Sequence, residues 1–426
     1  MKKIPMKKID ETLYYEKLSN GLDVYMLKND KVNNFYITLT CKYGALDTEF
    51  KIGNKEYKVP NGVAHFLEHV NFNEENGTTA HEYFDKLGSS INAFTTFDFT
   101  SYEVMASNNF KDNLNHLLDY VQTPVFTDEL VKKEKGIIVE EVRMGKNNPG
   151  HKLYYGLNRS LLKNDKRRYL VTGEVKDVKS ISTNDLKLVY DTFYHPENMF
   201  LIITGNFDIE EALNIVKKNQ NSKRFKNYKH PVIIKDKEEM KVINKYKEIE
   251  ANVEIPKCKI AFKMDKSLFK DFDETYLNIY LNFILSINFG GTSYLREVLY
   301  ENNLITHLGT SVDTTNDLVI ISIVFESRYV DKVLDLVKDK LYNLEVSESD
   351  LRRKGKAAIA ALINDYDDIE YVNTDIMDQL LYSGKIIDNL YDRYNDLKID
   401  DVLKIVNLLD FRYFSTVLLV PYKEVV

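Results

Sequence analysis

The sequence predicts an α+β protein made of two similar halves. The chain has 426 residues, more than one hydrophobic core usually serves, and 44% of them are hydrophobic, which is ample for two cores. Segments with the periodicity of strands and of helices alternate along its length. A short pattern also recurs: L-K-L-V at 186–189 precedes the strand-like run 200–203, and L-K-I-V at 403–406 precedes the run 416–420. This weak repeat indicates duplication of one fold.

Composition argues against several classes of protein. The formal net charge of −7 disfavours a nucleic-acid-binding protein. Cys41 and Cys258 are far apart and lack metal-site spacing, which fits a reducing compartment. The N-terminus, M-K-K-I-P-M-K-K-I-D-E, lacks the apolar region of a signal peptide, and the longest apolar runs are strand-sized, well short of the roughly 20 residues that span a bilayer. We therefore expect a cytoplasmic protein that binds neither nucleic acid nor membrane.

In the first half, β-branched and aromatic runs predict strands, and apolar residues at helical spacing predict helices. The predicted strands are 21–27, 35–42, two strands joined by a turn within 89–107, and 199–204. A polar loop at 44–61 precedes the first helix. Two predicted helices begin near residue 61 and at residue 127. Five more span 80–87, 109–122, 152–162, 183–193 and 209–219. Gly88 and Pro124 end the helices at 80–87 and 109–122.

A change in composition marks the boundary between the halves. Residues 217–247 contain eleven Lys or Arg against three acidic residues. A solvated interdomain linker is the favoured interpretation, and a basic patch that attracts an acidic peptide or partner is the alternative. We therefore predict one domain at 1–220, a basic linker at 221–241 and a second domain at 242–426.

The second half repeats the first in outline. Its predicted strands are 242–250, 257–263, 306–311 and 318–325, followed at the end by 416–420. Its predicted helices are 273–287, 293–301, 330–344, 348–365 and 372–383, with Gly290 and Gly291 separating the first two. This half has a single histidine, His307, so it contains no pair of histidines that could bind one metal ion.

The most informative stretch is V-P-N-G-V-A-H-F-L-E-H-V-N-F at 59–72. It predicts a helix with Asn61 as N-cap and one apolar face. His65 and His69 are four residues apart, so both imidazoles lie on the other face and can bind one Zn²⁺. Glu68 lies beside them and can accept a proton from a water molecule, as in the H-x-x-E-H motif. A helix with two solvent-facing histidines and an incidental Glu is the alternative.

H-F-L-E-H at 65–69, followed by E-K-G-I-I-V-E-E-V at 134–142, resembles the M16 metallopeptidases, the insulinase, pitrilysin and mitochondrial processing peptidase family. The resemblance implies that Glu141, 72 residues after His69, is the third zinc ligand. It also implies that Glu134 supports a ligand, although an exposed helix acid is the alternative for that residue. The implied fold is two homologous M16-type (LuxS/metallohydrolase-like) α/β sandwich domains. Each would be a mostly antiparallel sheet with helices packed on one face.

The activity that the resemblance implies is Zn²⁺-dependent hydrolysis of unfolded peptides, with Glu68 as general base and then proton donor. N-A-F-T resembles the strand that lies along the substrate in this family, which implies that an extended peptide binds there by β-augmentation. Those four substrate-binding residues are Asn92, Ala93, Phe94 and Thr95. Leader-peptide processing and housekeeping peptide degradation are both open. The alternatives are a non-hydrolytic peptide-binding or scaffold subunit and a pseudoenzyme that binds Zn²⁺ only for stability.

The chain departs from the family pattern in its second half. Family members carry an Arg and a Tyr, seven residues apart, that hold the substrate backbone from the last domain. In S-Y-L-R-E-V-L-Y-E-N-N-L-I-T-H at 293–307, Tyr300 and His307 occupy those positions, and Arg296 lies one helical turn early. We therefore expect the zinc-bearing subunit of a heterodimer whose second M16-like subunit supplies the Arg/Tyr clamp. A homodimer in which Arg296 replaces the clamp Arg is the alternative.

Overall fold

The computed structural model describes residues 1–315 and 317–422, which form two compact units. Unit 1 comprises Met1–Val142, Leu170–Lys235 and Leu362–Tyr391. Unit 2 comprises Arg143–Tyr169, Asp236–Ala361 and the chain from Asp392 onward. In the described part of the chain, no helix has both the length and the hydrophobicity of a membrane span.

Strands and helices follow one another along the described chain. The strands are β1 (Lys2–Met6), β2 (Glu11–Lys17), β3 (Asp23–Lys28), β4 (Phe35–Cys41), β5 (Glu49–Ile52), β6 (Lys55–Lys58), β7 (Ser90–Thr95), β8 (Thr100–Ala106), β9 (Met199–Gly205), β10 (Val232–Ile233), β11 (Tyr246–Ala251), β12 (Lys257–Asp265), β13 (His307–Thr314), β14 (Leu318–Glu326) and β15 (Phe414–Pro421). The helices are α1 (Val63–Asn71), α2 (Ala80–Leu87), α3 (Phe110–Gln122), α4 (Asp128–Asn147), α5 (Pro149–Leu161), α6 (Val175–Ser180), α7 (Thr183–Phe193), α8 (Ile209–Asn221), α9 (Glu274–Phe289), α10 (Tyr294–Glu301), α11 (Val330–Tyr342), α12 (Glu348–Asp365), α13 (Ile369–Asp378), α14 (Leu390–Asn395) and α15 (Ile399–Leu408).

The main sheets of the two units share one topology. The sheet of unit 1 has the order β1-β2-β3-β9-β4-β8-β7, and that of unit 2 has the order β11-β15-β12-β14-β13. The pairs β3–β9 and β11–β15 are parallel, and the other pairs in both sheets are antiparallel. Counted from β3 and from β11, the five strands take the same spatial order. The predicted pair of similar, mostly antiparallel α+β units is therefore confirmed.

Each sheet is covered on both faces, whereas helices on one face were expected. In unit 1, α13 packs on β4 and β9, and buried Thr38 donates a hydrogen bond to Asn373 of α13 over 2.7 Å. In unit 2, α5 packs on β11, β12 and β15. Coverage from both sides explains why every residue of β4 and β9 is buried. Periodicity shows that a helix has an apolar face, but it does not show which sheet that face covers.

These covering helices make the units discontinuous, unlike the division predicted at 1–220, 221–241 and 242–426. Residues 143–169, which contain α5, join unit 2, and residues 362–391, which contain α13, join unit 1. The units otherwise divide between residues 235 and 236, inside the predicted linker. The predicted domain boundaries stay a prediction, while the compact units follow the packing of the chain.

Three local expectations are corrected. The cap of α1 is Gly62, with φ of 85° and no side-chain cap bond, so Asn61 is not the N-cap. A Cβ at Gly62 would also lie 2.2 Å from the carbonyl oxygen of Thr172, so only glycine fits there. The polar loop at 44–61 contains the β5–β6 hairpin, and β1 and β2 were not predicted. Short strands rich in charged residues lack the apolar alternation that identifies a strand.

The predicted solvated linker is packed rather than free. β10 pairs with β5 in unit 1. In unit 2, Glu238 forms a buried ion pair with Lys263 of β12, and the Nζ–Oε1 distance is 2.5 Å. The Glu238 carboxylate also accepts the backbone N–H groups of residues 163, 164 and 165 at 2.7–2.8 Å. One buried carboxylate thus attaches two loops to the sheet.

Glu238→Ala should lower the free energy of unfolding by about 3–5 kcal/mol, because it leaves the ammonium group of Lys263 buried without its counter-ion. Urea unfolding followed by circular dichroism would measure the change. Glu239→Ala is the matched control, since exposed Glu239 pairs with Lys163 at the surface and such pairs add little. Equal stability of Glu238→Ala and the control would contradict this account of the buried pair.

Candidate metal centre

Helix α1 carries the H-x-x-E-H residues and is anchored by its apolar side. It packs against α7, β7 and β8 through residues that are at most 1% exposed, namely Val63, Ala64, Phe66, Leu67 and Val70. His65 and Glu68 are themselves 9% and 7% exposed. His65 therefore does not face solvent, and His69 is partly exposed. The buried carboxylate of Glu68 and the buried imidazole of His65 require partners that compensate for their lost hydration.

Helix α4 brings Glu141 to the two histidines. The Nε2 atoms of His65 and His69 lie 3.5 Å from Glu141 Oε1 and Oε2, respectively. Ligand atoms of all three residues lie within 4.8 Å of one another. Tetrahedral ligands about 2.1 Å from Zn²⁺ stand roughly 3.4 Å apart, so the spacing and the donor types fit this ion.

Glu134 lies one heptad before Glu141 on the same face of α4. It is 5% exposed, and its Oε2 lies 3.6 Å from His69 Nδ1. A carboxylate at Nδ1 favours the tautomer that leaves Nε2 available, an arrangement typical of metal-binding histidines. Glu134 is therefore not the exposed helix acid of the alternative interpretation. Glu140, by contrast, is exposed on α4.

The electrostatics of the centre differ between the two histidines. Burial, aided by the charge of His69, lowers the pKa of His65 to about 4, so its imidazole is neutral and can bind a metal. Burial would also lower the pKa of His69, but Glu134 and Glu141 outweigh it and raise that pKa to about 9. A cation that binds at neutral pH must therefore displace a proton from His69.

Strand β7 reaches the centre through Thr95. The hydroxyl of Thr95 donates a hydrogen bond of 2.6 Å to Glu68 Oε2. Burial raises the pKa of Glu68, and this hydrogen bond partly offsets the rise by favouring the ionised carboxylate. Sequence reasoning placed Thr95 on a substrate strand but missed its contact with Glu68. Strand periodicity indicates which residues share a face, but it does not indicate which helix that face meets.

β7 is the last strand of its sheet within the described residues and pairs only with β8. Its side chains alternate between the two faces. Ala93 and Thr95 face the helix layer, whereas Asn92 donates a 2.9 Å hydrogen bond to Glu103, and Phe94 packs edge-on against Phe99. The unpaired backbone edge of β7 is the part of 92–95 that can accept another strand.

The residues at the predicted clamp positions lie in unit 2. The Arg296 guanidinium lies over the ring of Tyr300, 5.4 Å from its centre. The Tyr300 hydroxyl donates to the carbonyl oxygen of Thr306 over 3.3 Å, and exposed His307 begins β13. Arg296 thus contacts Tyr300, the residue predicted to occupy the position of the family Arg.

Comparisons with known proteins agree with this architecture. The family model "Insulinase (Peptidase family M16)" matches residues 53–169, and "Peptidase M16 inactive domain" matches residues 180–358. The uncharacterized zinc protease YmfH of Bacillus subtilis is 39% identical over 315 residues, 72% of each chain.

Two solved structures show the same fold. A protein described as "putative M16-like peptidase" from Alicyclobacillus acidocaldarius matches with a TM-score of 0.90 at 23% identity, over 98% of this chain and all of that one. The periplasmic protease PqqL from Escherichia coli matches with a TM-score of 0.77 at 17% identity, over 99% of this chain but 48% of its own. Together with the family models and the identity to YmfH, these matches show that the chain belongs to peptidase family M16, the insulinase family.

Proposed function

We propose that this chain is a zinc-dependent endopeptidase that hydrolyses unfolded peptides in the cytoplasm. One observation carries the proposal. His65 and His69 of α1 and Glu141 of α4 converge at metal-ligand spacing, and Glu68 lies on the same helix as the two histidines. Membership of a family whose named relatives include zinc proteases supports it. Leader-peptide processing and housekeeping peptide degradation are the two roles that fit such an activity.

The residues have distinct tasks in this proposal. Zn²⁺ held by His65, His69 and Glu141 would polarise the scissile carbonyl and make a water molecule more acidic. Glu68 accepts the proton of the attacking water and then delivers it to the leaving amine. Glu134 holds the imidazole of His69 in the orientation that its ligand role requires.

The free edge of β7 binds the substrate as an added strand. Main-chain hydrogen bonds to residues 92–95 supply affinity with little sequence preference, which suits a peptidase of unfolded chains. Asn92 contributes through its backbone, because its side chain is bound to Glu103 on the other face of the sheet. Thr95 places the same strand next to Glu68.

Two features favour hydrolysis over the scaffold and structural-zinc alternatives. Structural zinc sites usually have four protein ligands, whereas the metal-ligand group found among the described residues has three members and leaves one position open. A buried carboxylate that is not itself a ligand also costs free energy, and a purely structural site gains nothing from it. Glu68 is therefore best explained by proton transfer.

We further propose that the active enzyme is a heterodimer. Tyr300 and His307 stand where the family carries its substrate-holding Arg and Tyr, and Arg296 packs on Tyr300. A second M16-like subunit that carries the Arg and Tyr would complete the site. An Arg fork can grip a peptide carbonyl close to the scissile bond. The periplasmic protease PqqL from Escherichia coli, of which this chain covers 48%, is long enough to contain two parts of this size.

The first prediction concerns the metal. The purified chain should contain about one Zn²⁺, because three ligands converge from two helices. His65→Ala and chelator treatment should both remove it, as measured by elemental analysis. His151→Ala, which removes an exposed histidine of unit 2, is the matched control and should keep the zinc. Equal zinc in wild type and His65→Ala would refute the assignment.

The second prediction concerns the base. Glu68→Gln keeps the shape of the side chain but cannot accept a proton, so peptide hydrolysis should fall by roughly 10²–10⁴-fold with zinc still bound. Glu140→Gln changes the same charge at an exposed position of α4 and should be active. A Glu68→Gln variant that cleaves at the wild-type rate would show that Glu68 is not the base. A wild type that binds zinc but cleaves nothing, even with its partner, would favour the scaffold alternative.

The third prediction concerns the partner. The isolated chain should bind zinc but hydrolyse peptides poorly, and an M16-like protein of the same organism that carries the Arg/Tyr pair should restore activity. Native mass measurement should then find a complex of one copy of each. The same partner with its clamp Arg changed to Ala is the control.

If the enzyme is not a heterodimer, a different result is expected. Full activity of the isolated chain, unchanged by any partner, would contradict the heterodimer. Arg296→Ala would in that case test whether Arg296 itself replaces the clamp.

A further inference from the structure

Thr95 makes the one hydrogen bond that the Glu68 carboxylate receives among the described residues. Its Oγ1 lies 2.6 Å from Glu68 Oε2, a length typical of a hydroxyl that donates to a carboxylate. A threonine hydroxyl has one proton to donate. The neighbouring hydroxyl of Thr100 is 3.4 Å away and donates its own proton to the carbonyl oxygen of Tyr43 over 3.0 Å. The proton of Thr95 is therefore committed to Glu68.

This hydrogen bond determines the orientation of the Glu68 carboxylate, the proposed general base. A glutamate side chain has three rotatable bonds, and burial alone does not select one orientation of its carboxylate. The bond to Thr95 fixes Oε2, so Oε1 is the oxygen available to accept a proton from water. A base that is already held in one orientation loses less conformational entropy when the transition state forms. Small displacements of a catalytic group lower the reaction rate.

The donor belongs to the strand on which the substrate is proposed to pair. Thr95 is the last residue of β7, opposite Thr100 in the antiparallel register with β8. Its side chain points to α1, while the backbone of residues 92–95 forms the free edge of the sheet. One rigid strand can therefore set both the register of the peptide and the orientation of the base.

We propose that Thr95 is a positioning residue, which aligns the Glu68 carboxylate with the scissile bond of a peptide paired on β7. This inference rests on the proposed function and changes the role predicted for Thr95. Its backbone contributes to the substrate strand, and its hydroxyl acts on the enzyme rather than on the peptide. A competing explanation is that the hydroxyl only attaches β7 to α1 and so stabilises the fold.

The test compares Thr95→Val, which keeps the shape and removes the donor, with Thr95→Ser, which keeps the donor. All assays use the full chain together with its M16-like partner and an unstructured peptide. Thr95→Val should lower kcat roughly 10- to 100-fold, since hydrogen bonds to charged groups are among the stronger ones. KM and zinc content should not change, because the backbone edge and the ligands are intact. Thr95→Ser should restore most of kcat.

Thr123→Val is the matched control. Thr123 is exposed at the end of α3, and its hydroxyl donates a 2.7 Å hydrogen bond to the carbonyl oxygen of Asp119. The same atoms are removed and one hydrogen bond is lost, but no contact with the base is affected. Its kcat should equal that of the wild type.

A double-mutant cycle separates positioning from stability. In a Glu68→Gln background there is no base to align, so Thr95→Val should lower kcat no further. The same loss in both backgrounds, or a Thr95→Ser variant as slow as Thr95→Val, would overturn the proposal. A wild-type kcat in Thr95→Val would also overturn it, while leaving the proposed function intact. Failure of the wild type itself to cleave peptides would instead count against the proposed function.

Discussion

A single constraint governs unit 1: the ligand atoms of His69 and Glu141, which lie 72 residues apart in sequence on two helices, must come close enough to bind one metal ion. The sheet makes this possible. α1 buries its apolar face against β7 and β8, which fixes the direction of His65 and His69, and α4 then supplies Glu141 at 3.5 Å. Neither helix can shift by about an ångström or two without separating these atoms. The packing of the core therefore determines whether the three side chains can bind one metal ion.

The polar groups of the centre form two sets of contacts, which meet on α1. Glu134 and Glu141 of α4 lie against His69 of α1, and Thr95 of β7 donates to Glu68 of α1, so side chains that are buried or partly buried join α1 to both elements. Burying so many ionisable groups costs free energy that their mutual contacts only partly return. Such an arrangement is retained where function requires it, and it concentrates perturbed pKa values in one place.

The two units share one strand order but differ in their chemistry. The described residues of unit 2 provide no group of metal ligands. Their buried charged pair has a structural role instead. Glu238 and Lys263 attach loops to the sheet rather than binding a ligand. Helix α5 covers the sheet of unit 2 and α13 covers that of unit 1, so the compact units do not coincide with the two halves of the sequence.

The sequence by itself determined the features that depend on short-range spacing. The spacing of four residues from His65 to His69 places both on one helical face, Gly88 ends α2 in the left-handed conformation that glycine favours, and alternating apolar runs predicted the central strands. Two similar halves followed from the recurring pattern. The resemblance to a family extended the site to Glu141 and Glu134, which no local period could connect to α1.

Only the tertiary structure decided what depends on contacts between distant segments. The burial of Glu134, the bond from Thr95 to Glu68 and the pairing of Glu238 with Lys263 each join residues that no sequence period relates. The cap of α1 is Gly62 rather than Asn61 because the carbonyl of Thr172 leaves no room for a side chain. Periodicity specifies which face of an element is apolar or polar, but the partner of that face is chosen by packing in three dimensions.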